Sequence, residues 1–511
     1  MNDLMLSTPG VAVLEQSAFP QSIAGVATAI PAFIGPVENP TSPDGTTLVG
    51  NTWRISSFED FKFLFGTPTP STFLIHVDKF VDQEGGLLGT DVRYVNQPER
   101  VPTGARLLFH GMDHYFANGG GPCHIRPIDA AATQQDYVDA IRALESIDEI
   151  TINVILNTIG ANAVNYGALV TASLQSCRRM KDRFTIADVF EARPGGAVDN
   201  ANPSPSLAEL VTSEFRDNVT TVAEDELKYG AAYMPDLNTT MPILFDPDTV
   251  DIDDASQLIT VDAEGNEDGG ADLFSGGNDL PLSDGFFQGV IDTVTPANST
   301  PGEKNVEAEV LALLGRTSLI MPPSPAMAGI YARTDRQRGV HVTPANVGVN
   351  NITGPALAIT DAEQGLLNVD PTSGKSVNAI RAFTGRGTLV WGGRTLAGNS
   401  GDWKFINRRR TALYLEESIA TALEQFVFQP NEPKTWVRAN RMISGFLLNE
   451  WRAGTLTGPT APDAFDVTIG LGTTMTQQDI IDGLMRILVR VAIPGPAEKI
   501  ILQFTQKAQA A

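Results

Sequence analysis

The sequence predicts a multidomain chain of mixed α/β (α+β) class, and three observations carry that prediction. Between residues 105 and 189 helix-like and strand-like runs alternate, as in a sheet with helices packed on it. Between residues 378 and 454 a pair of strand-like runs precedes two long amphipathic helical patterns. Between Tyr229 and Glu303 there is no Lys, Arg or His while Asp recurs, which marks an acidic, surface-exposed insertion.

In chain order, Val11-Ala12-Val13-Leu14 within Thr8 to Glu15 is a strand-like run with no hairpin mate nearby, and the stretch to Gln21 is expected to be an extended arm. Ala29 to Gly35 is an apolar run ended by Gly35-Pro36, a buried strand. Phe58 to Phe65 is a short helix with Ser57 as its cap and Gly66 as its stop. Thr69 to Pro102 shows only weak, glycine-punctuated patterning and receives no assignment.

The alternating block reads as helix 105–116, strand 124–127, helix 134–147, strand 150–156, helix 162–182 and strand 184–189, with a further strand at 229–235. Strand-like runs 379–383 and 388–392 flank Gly385-Arg386-Gly387, whose glycines supply positive-φ turn positions. Apolar residues from Trp403 to Phe428, and again from Trp436 to Trp451, recur at helical spacing, with Pro430 between the two helices and Gly454 after the second. This hairpin is expected to pack on these two helices. Runs 466–469, 486–491 and 499–505 add three strands, giving a small C-terminal sheet with an open edge.

A length of 511 residues suggests about three domains, and 42 % hydrophobic residues suffices for sizeable cores. No apolar run approaches the roughly twenty residues that span a bilayer. Met1-Asn2-Asp3-Leu4 lacks the basic region and apolar core of an export signal, so cytoplasmic synthesis is expected. Cys123 and Cys177 are too few for a disulfide framework. A formal charge of −24 argues against a nucleic-acid or anionic-membrane partner, which would want a basic face.

Signals of chemistry are weak. His110, His114, Cys123 and His124 have zinc-ligand residue types, but helix 105–116 followed by a glycine stop and strand 124–127 accounts for them as core residues. The Asp246 to Asp254 cluster lacks the glycine and terminal glutamate of a calcium loop. Ser373-Gly374-Lys375-Ser376 is similar to the end of a phosphate loop, yet Val369 stands where that loop needs its first glycine. No nucleophile elbow occurs. No enzyme activity, metal or cofactor is therefore expected. Arg381, Arg386 and Arg394 are expected to meet carboxylates at domain or subunit contacts, and His341 to be structural.

Several blocks carry a resemblance. They are Ala328 to Asp335 with Arg338-Gly339-Val340, Pro344-Ala345-Asn346, Thr360 to Asn368, Ile380 to Phe383 with Gly385-Arg386-Gly387, Val390 to Leu396, Trp403 to Arg410 and Leu415 to Ile419. In residues and order they resemble the contractile tail sheath family, which forms the contracting sleeve of phage tails, R-type pyocins and related bacterial injection systems. The likeness runs almost unbroken from Pro322 to Phe504, with a further piece from Thr8 to Gly35 and another from Asp182 to Asp188.

The resemblance implies a multidomain sheath subunit: an α/β middle domain, a C-terminal small sheet flanked by long helices, an acidic outer insertion, and extended N- and C-terminal arms. The corresponding boundaries are an arm at 1–21, the N-terminal part of the core at 22–102, the α/β domain at 103–235 and a dispensable acidic insertion at 236–302. A return into the α/β domain (303–377), the C-terminal core domain (378–497) and a C-terminal arm strand (498–511) follow. It further implies a homo-oligomer of stacked rings or a helical sleeve around an inner tube protein. Baseplate and terminator or cap proteins would be its other partners, within a phage tail or tail-like particle. Contraction would repack a metastable array without nucleotide hydrolysis. Arms of the family join the sheets of neighbouring subunits, which nominates Val11, Ala12, Val13 and Leu14, and Ile500, Ile501, Leu502, Gln503 and Phe504, for intersubunit strand pairing. A helix of the C-terminal region lies against the tube, which nominates Arg408, Arg409, Glu416 and Glu417 as tube-facing or intersubunit charges. A passive shell or capsid-like protein, or a zinc-dependent enzyme, are the alternatives.

Overall fold

The computed structural model describes residues 23–157, 164–189, 207–220, 224–272, 280–281 and 305–499. The chain divides into two compact units, one built from 28–338 and 342–409, the other from 1–27, 339–341 and 410–511. Both arms nominated for strand pairing, Val11–Leu14 and Ile500–Phe504, lie outside the described residues.

Pro31–Pro36 is buried along its whole length because it runs in the middle of an eight-stranded sheet. The sheet order is Gly387–Val390, Val377–Phe383, Gly230–Met234, Phe184–Asp188, Ile152–Ile155, Pro31–Pro36, Cys123–Ile128, Trp53–Ile55. Each inner neighbour pair is parallel, and an antiparallel strand closes each edge. Parallel strands covered on both faces need continuous apolar runs rather than alternation, and Ile152–Ile155 and Gly230–Met234 are buried at every position. Helices Gly104–Ala117, Gln134–Ala143, Tyr166–Met180 and Ser324–Arg338 pack against this sheet or one another. Gly329 permits the approach of the first and last of these, since a Cβ there would lie 2.4 Å from the Tyr115 carbonyl oxygen. At the end of its strand, buried Asp188 accepts from Ser324 N at 2.7 Å and from Ser324 Oγ at 2.6 Å, holding the start of the last helix.

The alternating block is therefore as expected, but the hairpin is not. Val377–Phe383 and Gly387–Val390 extend the large sheet, with Val377 opposite Ala232 and Ala379 opposite Met234, instead of forming a separate sheet on the two C-terminal helices. Burial explains the choice: Val377, Asn378, Ala379 and Ile380 are all covered, which an isolated hairpin could not achieve. The turn has Gly385 and Gly387 at φ 74° each, as anticipated. Of the three arginines assigned to carboxylates, Arg381 meets Asp361 at 2.6 Å. Arg386 instead meets Asn346 Oδ1 and stacks on Phe383 and Trp391. Arg394 Nη1 donates to the carbonyls of Asn368 and Gly398, among other contacts.

The acidic segment is not a self-contained insertion. Leu237–Pro242 pairs with Ser318–Met321 and Ile352–Pro355 in a three-stranded sheet. Val250–Ile252 and Gln257–Val261 both pair parallel with Phe73–Asp82, a strand from the stretch left unassigned, which also pairs with Leu87–Tyr94. Phe73, Ile75, Val77 and Val81 alternate toward the covered face. His76 joins the segments: its Nδ1 is 2.7 Å from Asp253 Oδ2 and its Nε2 2.9 Å from Asp78 Oδ1, while Arg93 Nη1 meets the other Asp78 oxygen at 2.7 Å. Val81-Asp82-Gln83-Glu84-Gly85 and Val261-Asp262-Ala263-Glu264-Gly265 form matching loops, each Asp accepting backbone N–H groups from its own loop, and Val261 lies opposite Asp82. Removing 236–302 would thus unpair strands on both sides of the deletion.

In the second unit, the residues from Arg410 onward of helix Ile406–Leu423 and all of Pro433–Arg452 enclose a core with Leu415, Ile419, Met442, Ile443, Phe446 and Leu447. Ile23 joins this core, and Val26 N donates to Ser418 Oγ at 3.1 Å. Pro433 occupies the first turn of its helix, where a missing N–H costs nothing.

Candidate assembly interface

A two-stranded antiparallel sheet of Phe465–Thr468 and Leu488–Val491 lies beside the helix Pro433–Arg452 in the second unit. Its register sets Phe465 opposite Val491, Asp466 opposite Arg490, Val467 opposite Val489 and Thr468 opposite Leu488. Side chains alternate along each strand. Phe465, Val467, Val489 and Val491 pack on the core, while Leu488 and Arg490 are exposed, Arg490 meeting Asp466 at 3.2 Å.

Two strands leave two edges, and among the described residues no third strand covers either. The edges are not equivalent. Asn440, on the helix behind, donates through Nδ2 to the Val467 carbonyl at 2.8 Å, while Ser444 Oγ donates to Asn440 Oδ1 at 3.2 Å. An unpaired edge presents backbone groups that another chain's strand can satisfy.

At the corner between the two long helices, Val427 is exposed and Phe428 is fully exposed. Phe428 has φ 64°, the left-handed region that a bulky residue enters at a cost. Asn431 Nδ2 donates to the Leu484 carbonyl at 3.0 Å, bringing the exposed side chains of Ile481 and Leu484 to the same corner. Sequence reasoning missed this apolar patch; Val427-Phe428 directly before Gln429-Pro430, beyond the helical pattern, was its one signal.

The nominated charges separate on inspection. Arg409 is buried, its guanidinium 4.7 Å from the ring centre of Tyr229 and 4.8 Å from that of Trp403, so it is no surface charge. Arg408 is half-buried over Phe405. Glu416 is exposed and Glu417 half-buried.

The zinc-like residues are not gathered. His114 Nε2 lies 3.2 Å from the Asn350 carbonyl oxygen, His124 Nε2 lies 2.6 Å from Glu149 Oε1, and Cys123 is buried with its thiol pushed up by burial. Among the described residues no three His, Cys, Asp or Glu side chains form a metal cage. Lys375, of the phosphate-loop-like run, turns its amine to the Arg216 carbonyl, and Ser373 N donates to Asp370 at 2.7 Å. No described helix is long and apolar enough to cross a membrane.

No family model and no curated protein matches the chain. Solved structures do. The sheath complex of the extracellular contractile injection system PVC, in its contracted state, is similar over 98% of this chain and 98% of that chain, at 25% identity and a TM-score of 0.61. A chain of the anti-feeding prophage baseplate covers 98% and 99% at 25% identity and TM-score 0.60. The helical sheath of the same prophage, contracted, covers 98% and 99% at 25% identity and TM-score 0.59.

Proposed function

We propose that this chain, a contractile tail sheath protein and structural subunit of a contractile injection system, works by assembly and rearrangement and not by bond chemistry. Copies polymerise as stacked rings or a helical sleeve around an inner tube protein, with baseplate and terminator or cap proteins at the ends. The sleeve is part of a phage tail or tail-like particle whose subunits are made in the cytoplasm. Contraction drives the tube through a target envelope, its free energy coming from contacts formed as subunits repack.

The observation that carries this reading is the two-stranded sheet beside the core of the second unit, whose edges no strand among the described residues covers. Val11–Leu14 of one neighbour and Ile500–Phe504 of another add as strands to that sheet. Backbone hydrogen bonds give the affinity, and alternation of side chains gives the register. Strand tethers hold subunits together while larger surfaces exchange partners. The apolar corner at Val427 and Phe428 is a further contact surface of the assembled sleeve. Arg408, Glu416 and Glu417 remain the charges proposed to face the tube or a neighbour, and Arg409 is withdrawn because it is buried.

Deleting Met1 to Phe19 tests the strand exchange. Folded subunits that fail to polymerise are expected; tubes of normal length and yield from the truncated chain would overturn it.

A further inference from the structure

A cavity of about 170 Å³ opens at the start of helix Gly104–Ala117, lined on its polar side by Ser71, Glu99, Thr103, Arg106 and His110. Its size admits a few water-sized groups of about 30 Å³ each. Apolar side chains, among them Phe73, Val101 and Leu319, form the rest of the wall.

The polar wall is rich in donors. The first turn of the helix carries the positive end of its dipole and N–H groups that the helix itself cannot satisfy. Here Thr103 precedes the helix without capping it through its side chain, and the first turn holds no acid. The N–H groups of Gly104, Ala105 and Arg106 have no acceptor outside the helix among the described residues. Arg106 adds a full charge in that turn, and its Nη1 donates to Ser71 Oγ at 2.7 Å, leaving its other N–H groups for a ligand.

A second observation points the same way without using the helix end. His110, one turn further along the same face, is only 6 % exposed, lines the cavity, and forms no hydrogen bond with any described residue. Burial, with the charge of Arg106 second, pushes its basicity down to about 4. A buried polar ring with no partner costs free energy unless something in the cavity bonds to it. An acceptor placed there would satisfy the ring N–H, the guanidinium and the hydroxyls together.

We propose that this cavity is a binding site for a small oxyanion of the size of inorganic phosphate, held by Arg106, His110, the hydroxyls of Ser71 and Thr103 and the first turn of the helix. Glu99 is the one acid among the lining residues and is exposed at the rim. It penalises higher negative charge, so the site favours a singly charged ion. An anion beside His110 raises the ring's proton affinity, so binding takes up a proton and tightens as the pH is lowered.

Isothermal titration of inorganic phosphate into the full-length unassembled protein tests this. Saturable binding at one site per chain is expected. Arg106→Gln should weaken it by about tenfold or more, the loss of a charge-assisted contact. Glu99→Gln, an exposed replacement that leaves the packing untouched, should tighten it, and His110→Gln should flatten its pH dependence relative to the wild type. Circular dichroism shows whether each variant is folded. Absence of saturable binding to the wild-type chain, or a Glu99→Gln protein that binds phosphate no more tightly, would overturn the assignment.

Discussion

The side-chain amide of Asn440 donates to the carbonyl of Val467 at 2.8 Å and ties one edge of the two-stranded sheet to the helix Pro433–Arg452. That single bond gives the small sheet an anchor independent of any neighbouring subunit, since an isolated pair of strands is marginal in water. Asn440→Ala should therefore lower the stability of the second unit by about 1 kcal/mol, read as a shift in urea midpoint of the unassembled protein. An unchanged midpoint would mean that the sheet is held by side-chain packing alone.

Phe428 combines a left-handed backbone with full exposure of its ring. Replacing it with Gly removes the backbone penalty, part of which is offset by the freedom glycine gains in the unfolded chain. The Phe428→Gly subunit should melt no lower than the wild type and gain up to about 1 kcal/mol. It should form fewer tubes at equal concentration if the ring is, as proposed, a contact of the assembled sleeve. A less stable monomer would contradict the backbone penalty, and an unchanged tube yield would remove Phe428 from the contact surface.

His114 is fully buried, and burial pushes its basicity from 6.5 down to about 4, partly opposed by its bond with the Asn350 carbonyl. Its folded form thus stays neutral at pH values where the unfolded chain takes up a proton. Stability is unaffected above the unfolded value and falls as the pH drops from 6.5 toward 4, by up to about 3 kcal/mol from this one group. Chemical denaturation in non-phosphate buffers at several pH values checks it: the wild type should lose more stability on acidification than His114→Gln. Parallel profiles would contradict the buried neutral imidazole.

How far the fold could be read from the sequence depended on how local its causes are. The helix Phe58–Phe65 was legible because its start and stop sit next to it: Ser57 and Asp60 form the capping box, and Gly66 takes the positive φ. The parallel strands from 123 to 234 were legible from short, mostly apolar runs between helical patterns. Strand Phe73–Asp82 was not, because Lys79 interrupts its apolar face and His76 and Asp78 place polar groups on the other, where Asp253 and Arg93 meet them. Asp253, the partner of His76, is 177 positions away. The same distance effect hid the place of the hairpin Val377–Val390, whose burial depends on Gly230–Met234.

Of the candidate interface, the two described strands were visible as strand-like runs after the long helices, while the third expected run, 499–505, lies, beyond Lys499, outside the described residues. Asn440 was not, since nothing in a helical pattern distinguishes a polar residue that ties a sheet edge from one facing water. Arg409 was misread for a related reason: its neighbour Trp403 is close in sequence, but Tyr229, the other ring flanking it, is 180 positions away. A charge on a helix looks solvated until its stacking partners are placed.

The sleeve proposed for this chain is one that contracts. Electron microscopy of tubes assembled from the protein with its tube and baseplate partners, before and after a contraction trigger such as acid or denaturant, tests it most directly. The account predicts two discrete tube lengths, the shorter with the larger diameter. Tubes of one length and one diameter under every condition would mark a passive shell and contradict it.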